Sequence, residues 1–165
     1  MNQRGLFSSE ITKVLEKRLA DNFVVVCPVN ELILNRHGIY VVNTDCGVGS
    51  HWVVINVTEE TVEFFDSFGR HPLFVQNGHM FMKAIKTTNK QLLVTSQCYQ
   101  EKNSYVCGWY CLAYAFVRVK FNSPQMFHNL FTDCQRQNDK LVVLIVNTLY
   151  KNIDNVYYYV DDCYL

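Results

Sequence analysis

The segment Cys107–Phe121 (CGWYCLAYAFVRVKF) restricts the possible folds more than any other stretch of the chain. Apolar residues fall on every side of a helix drawn through it, and charge enters only near its end, at Arg118 and Lys120. A helix without a solvent face must be enclosed by other elements. The runs 39–43 (IYVVN), 51–57 (HWVVINV), 61–65 (TVEFF) and 91–97 (QLLVTSQ) supply the enclosure. They are short, rich in β-branched and aromatic residues, and predict strands. Thr58-Glu59-Glu60 is a turn between the second and third runs, so those two form an antiparallel hairpin.

Helices are expected at both ends. Ile11, Val14, Leu15 and Leu19 recur at helical spacing behind Ser8-Ser9-Glu10, with Lys13, Glu16, Lys17 and Arg18 between them. A short helix is predicted over 81–87. Ser123-Pro124 opens another, running to about Thr132. The run 139–150 (DKLVVLIVNTLY) has strand-like β-branching but the length of a buried helix. Residues 23–29 read as a strand or extended segment, and the tail at 157–162 as a last extended segment or a loose end. Strands in succession with helices at both ends, and no internal repeat, predict a single α+β domain over 1–165, with a mixed or antiparallel central sheet flanked by helices.

Charge and cysteine usage narrow the function classes. Fifteen basic residues balance fifteen acidic ones, so no general polyanion-binding surface is expected. Lys83, Lys86 and Lys90 read as a solvated helix face. No apolar run reaches membrane-spanning length and no leader pattern opens the chain, so a soluble protein without a membrane partner is expected. Seven cysteines without a paired framework point to a reducing intracellular compartment. Cys107 and Cys111 lack the second pair that a zinc site needs, so no metal is expected.

The chemistry converges on Cys107. A helix N-terminus favours the thiolate through its unpaired N–H groups. Gly108 behind it leaves room for a substrate backbone. Gln100 is a neutral donor able to face an oxyanion. His51 starts the first strand of the hairpin and Asp66 ends the second, and in an antiparallel pair those positions are neighbours. An Asp beside a His fixes its tautomer and stabilises the imidazolium, which then serves the thiol. Trp52 next to His51 is structural or shields that pair. Each residue also has a plain alternative: a strand-end His in water, a turn-forming Asp, a core thiol. Cys111 is read as core.

The order His51-Trp52, Asp66-Ser67-Phe68-Gly69, Gln100, Cys107-Gly108 resembles the adenovirus-type endopeptidases (adenain), cysteine proteases related to the SUMO-specific proteases. The resemblance implies a papain-like cysteine protease fold in permuted order, since papain-type enzymes run Cys first and His later. It makes His51 the general base, Asp66 its orienter and Cys107 the nucleophile, with Gln100 and the Cys107 backbone N–H as the oxyanion hole. Trp52 and Gly108 then border the substrate cleft. It implies cleavage after small residues such as Gly, with no cofactor needed for the chemistry. A peptide or DNA activator is a family trait, but the family's spacing puts Asn89 where the activating cysteine belongs, with Cys98 as a loose candidate. Asp66 stands where the adenovirus enzymes carry Glu, and is the acid of the SUMO-protease branch.

The expected function is therefore a monomeric viral or virus-like-element cysteine endopeptidase. It would process virion precursor proteins in the host nucleus or cytoplasm and in the virion. The alternative is a peptidase that removes ubiquitin-like or SUMO-like modifiers. An acetyltransferase using the same thiol and a non-catalytic interaction protein are further alternatives.

Overall fold

The computed structural model describes residues 5–46 and 51–150. The end of the loop before His51 and the tyrosine-rich tail expected at 157–162 lie outside the described residues. Five strands, β1 (Phe23–Pro28), β2 (Gly38–Asn43), β3 (Trp52–Val57), β4 (Thr61–Phe65) and β5 (Gln91–Val94), lie side by side in sequence order. The inner pairs β2–β3 and β3–β4 are antiparallel, whereas β1 on β2 and β5 on β4 are parallel. The sheet is thus mixed. A parallel neighbour needs a crossover, and helix α2 (Gly78–Thr87) lies in the connection from β4 to β5.

Both faces of the sheet are covered, which explains why the central strands are apolar without alternation. Ile39, Val41, Trp52, Val54 and Phe65 enter one core, together with apolar residues of α1 (Ser8–Leu19), α3 (Cys107–Phe121), α4 (Pro124–His128) and α5 (Gln135–Leu149). Their strand neighbours Tyr40, Val42, Val53, Ile55 and Phe64 enter the other, against Phe81 and Ile85 of α2. Helix α3 is buried without interruption from Cys107 to Ala115, as its all-round apolar surface requires. At the start of α1 the Glu10 carboxylate accepts the Phe7 N–H at 2.8 Å, satisfying a donor at the helix end.

Several boundaries differ from those expected. Helix α4 stops at His128 instead of near Thr132. The Asn138 side chain takes over there, accepting from Thr132 N–H at 2.9 Å and donating to Thr132 O at 2.7 Å. Helix α5 starts four residues before Asp139, and its β-branched run buries Val142, Val143 and Val146 along one side. Helix α2 begins at Gly78, three residues early. A Cβ at Gly78 would lie 2.3 Å from the Leu73 carbonyl oxygen, so the helix enters where only glycine fits. Strand β5 ends at Val94, with one further bond from Thr95 N–H to Phe64 O, and the remaining residues leave toward Gln100. Lys90 lies beyond α2 and so outside the solvated helix face expected of it: its ammonium donates to the carbonyls of Thr58, at 2.8 Å, and Glu59, pinning the β3–β4 turn.

One charged pair is enclosed within the first core. Glu63 of β4 faces α3, where Arg118 grips it with Nε at 2.7 Å and Nη2 at 2.5 Å. The Tyr114 hydroxyl (3.3 Å) and the Asn56 amide (3.1 Å) donate to the same carboxylate. The two side chains are only 10% and 4% exposed. This pair explains the cation that interrupts an otherwise apolar helix.

Candidate active site

The β3–β4 ladder closes at Val54 opposite Phe65. His51 and Asp66 follow just beyond it, and their side chains meet, Nε2 to Oδ1, at 2.7 Å. Both are buried, Asp66 completely. The hairpin therefore brings the two residues together as expected, with the contact made by side chains beyond the last paired residues. Cys107, at the start of α3, is close enough to act on the imidazole and adds to the rise in its pKa. Nε2 is committed to Asp66, which leaves Nδ1 as the nitrogen available to a thiol. Carboxylate, imidazole and thiol thus gather at the mouth of the hairpin.

The electrostatics favour an imidazolium. Burial opposes its charge, but the hydrogen bond to Asp66 and the nearby Cys107 outweigh that cost and raise His51 to about 9. Burial likewise opposes the Asp66 charge. The hydrogen bond and charge of His51, the Arg70 guanidinium and the Phe68 N–H reverse the balance and hold the carboxyl below its ordinary value. The Asp66-Ser67-Phe68-Gly69 turn is closed by Gly69 N–H donating to Asp66 O at 2.8 Å. Gly69 has φ of 69°, and a Cβ there would lie 2.6 Å from Ser96 O, so glycine is required. Phe68 covers the imidazole with ring centroids 5.0 Å apart.

Gln100 is buried and fully oriented. Its Oε1 accepts from the Ser67 hydroxyl at 2.6 Å, and its Nε2 donates to Ser104 O at 2.9 Å. The Ser104 carbonyl can only accept, which fixes the amide orientation and leaves one Nε2 hydrogen uncommitted. The Tyr99 and Gln100 N–H groups both donate to Ser67 O, so the Gln100 loop is tied to the residue after Asp66. Its other side is held by the Tyr110 hydroxyl, which donates to Asp139 Oδ1 at 2.9 Å and lies 3.1 Å from Tyr99 O. Asp139 also accepts from Glu101 N–H at 3.3 Å.

Trp52 sits as the structural residue it was read as, whereas Gly108 occupies a different environment from the substrate cleft expected. The Trp52 indole N–H donates to Leu6 O at 3.0 Å. A Cβ on Gly108 would sit 3.1 Å from Leu6 Cβ and 3.4 Å from Ile11 Cδ1. The space beside Gly108 is filled by the chain's own N-terminal segment, so that glycine admits packing, not a substrate backbone. Cys111 is fully buried, and burial pushes its thiol well up, as expected of a core residue.

Three contributors escaped the sequence: Ser67, Arg70 and Asp139. Ser67 follows Asp66 directly, but nothing local announces a partner 33 positions away. Arg70 is four residues from Asp66 in a loop, where that spacing carries no geometric meaning. Asp139 was legible only as the start of a buried helix. Among the described residues, no group of three or more His, Cys, Asp or Glu side chains is placed to hold a metal. A separate cavity of about 390 Å³, lined by Glu63, Thr95, Tyr114, Pro124 and His128 among others, includes none of the site residues.

No family model and no curated protein matches the chain. Among solved structures it is similar to the effector protein ChlaDUB1 of Chlamydia trachomatis, with 12% identity and a TM-score of 0.50 over 91% of this chain and 75% of that one. The effector protein Cdu1 of the same organism, solved bound to ubiquitin, matches at 12% identity and a TM-score of 0.46, over 94% of this chain and 85% of that one. At such identity the likeness is one of fold: an α+β architecture with a five-stranded mixed sheet between helices.

Proposed function

We propose that the chain is a cysteine peptidase acting on polypeptides, and that its substrates are the C-terminal linkages of ubiquitin-like modifiers. The observation that carries the peptidase reading is the buried His51, bonded through Nε2 to Asp66 and raised in pKa by Asp66 and by Cys107. In this reading Cys107 sulfur bonds to the scissile carbonyl carbon. His51 gives its proton to the departing amine as the C–N bond breaks. Water, giving a proton to His51, then attacks the thioester, and the acid product leaves as the thiol is restored. The free Nε2 hydrogen of Gln100 and the Cys107 backbone N–H serve the oxyanion.

Three points favour modifiers over virion precursors. The acid is Asp66, as in the SUMO-protease branch that the motifs resemble, and the fold is shared with ChlaDUB1. Adenovirus-type activation through a disulfide also finds no cysteine at its expected place. Asn89 stands there, in a left-handed turn with φ of 56°. The test uses ubiquitin and a SUMO-type modifier carrying C-terminal propargylamide electrophiles. Wild type is expected to gain the mass of one modifier and Cys107→Ala none. If neither probe reacts while a Gly-containing virion precursor is cut by wild type and spared by Cys107→Ala, the precursor reading replaces this one.

The oxyanion assignment makes its own prediction. Gln100→Ala is expected to lower kcat about 10²–10³-fold with little change in KM. Ser67→Ala, which frees the amide to rotate, is expected to cost roughly 5–10-fold, equivalent to one hydrogen bond. Steady-state kinetics on a fluorogenic modifier conjugate separates the two. Equal, small losses in both variants would remove Gln100 from the site.

A further inference from the structure

Arg70 follows the turn that carries Asp66. Its Nε donates to Asp66 Oδ2 at 2.6 Å, while Oδ1 receives His51 at 2.7 Å and the Phe68 N–H at 3.0 Å. Both carboxylate oxygens are therefore engaged, and the Asp66 side chain has no exposed surface. The guanidinium carbon lies 5.0 Å from the centre of the Phe68 ring, which itself lies 5.0 Å from the His51 ring. Arg70, Phe68 and His51 thus form successive layers over the buried acid. An ion pair at a protein surface ordinarily contributes little. This one differs because its acid is buried and is shared with the imidazole.

We propose that Arg70 is a positioning residue of this site, engaging Asp66 Oδ2 while the Phe68 N–H holds Oδ1 toward His51, and so setting how strongly the carboxylate holds the imidazole proton. Its catalytic meaning rests on the peptidase reading, but the coupling itself does not. Without the guanidinium, Oδ2 loses its charged partner, and the full field of the carboxylate falls on the ring. Direct repulsion between two cations is also relieved. Both changes favour the protonated imidazole, so its titration moves to higher pH.

The other groups around the pair are Cys107 and Cys111 of α3 and Cys98 ahead of Gln100, with Asp139 of α5 acting on Cys98. Burial raises the Cys98 and Cys111 thiols, so both stay neutral near pH 7. Of these groups Cys98 also feels the Arg70 charge, which pulls it down, so loss of Arg70 would raise that thiol further and leave it neutral.

The experiment follows His51 by NMR of ¹⁵N-labelled imidazoles, assigned by loss of its signals in His51→Gln. Wild type is expected to titrate near 9. Arg70→Gln removes the charge and keeps a polar stem, and should shift the midpoint upward by about 0.5–1 unit. Arg70→Lys keeps the charge and should stay near wild type. Circular dichroism confirms that both variants are folded. An Arg70→Gln midpoint that is unchanged or lower overturns the proposal and leaves Arg70 as packing for Phe68. Iodoacetamide labelling of wild type at pH 7 runs in parallel. If Cys107 is not alkylated ahead of the other thiols, the peptidase reading falls, whatever the Arg70 titration shows.

Discussion

Cys107→Ala and His51→Ala are each expected to remove about 10⁴–10⁶-fold of the peptidase turnover, because nucleophile and base act as one unit and either loss removes both. The double variant should then be little worse than either single one. Release of a fluorophore from a ubiquitin-like C-terminal conjugate measures this directly. Asp66→Asn should cost less, since the ring keeps its place under Phe68 while losing a charged partner. Additive losses in the double variant, or a Cys107→Ala protein that retains turnover, would sink the triad. The pH response has a definite sign. His51 is raised to about 9 in the folded chain from an ordinary value near ~6.5. The stability it contributes is fully present below ~6.5 and fades as pH rises through about 9. Turnover should decline on the same alkaline side, as the imidazolium that protonates the leaving amine disappears.

Arg118→Ala is expected to destabilise the fold by about 3–5 kcal/mol, because it leaves the Glu63 carboxylate buried without its cation. Glu63 then keeps only the Tyr114 hydroxyl and the Asn56 amide as donors. For a chain of this size each kcal/mol lowers the melting temperature by roughly 2–4 °C. Replacing both partners, as Glu63→Gln with Arg118→Met, should recover most of the loss, since the desolvation of two charges disappears along with their attraction. Urea unfolding of the single and double variants tests this. An Arg118→Ala protein within about 1 kcal/mol of wild type would mean that water reaches Glu63. Neither residue touches His51 or Cys107, so turnover per folded molecule should be unchanged.

The two predictions differ in how visible their residues were in the sequence. His51, Asp66 and Cys107 stand at element ends, where strand and helix periodicities break off, and such breaks are local. The hairpin register follows from a short turn between two apolar runs, so the meeting of His51 with Asp66 could be argued without coordinates. The Glu63–Arg118 pair could not. Glu63 sits mid-strand at a position that alternation assigns to a face, but the apolar neighbours on both sides hide which face is enclosed. Its partner is 55 positions away on a helix with no polar side. The role of Gly108 was misjudged for a similar reason. A glycine signals close approach, and the sequence does not say whether substrate or the chain's own Leu6 makes it.

From the sequence alone came the α+β class, the buried central helix and the identity of the three groups at the hairpin mouth. Each depends on periodicity, element length or the few residues of one turn, which are local properties of the chain. The tertiary structure decided what long-range contact alone can settle. Arg70 reaches back to the second oxygen of Asp66, and Ser67 turns the Gln100 amide. The start of α5 braces the Gln100 loop, and the N-terminal segment closes over Trp52 and Gly108. Side-chain hydrogen bonds have no sequence period. They form wherever packing brings a donor to an acceptor, and only the folded chain determines which ones meet.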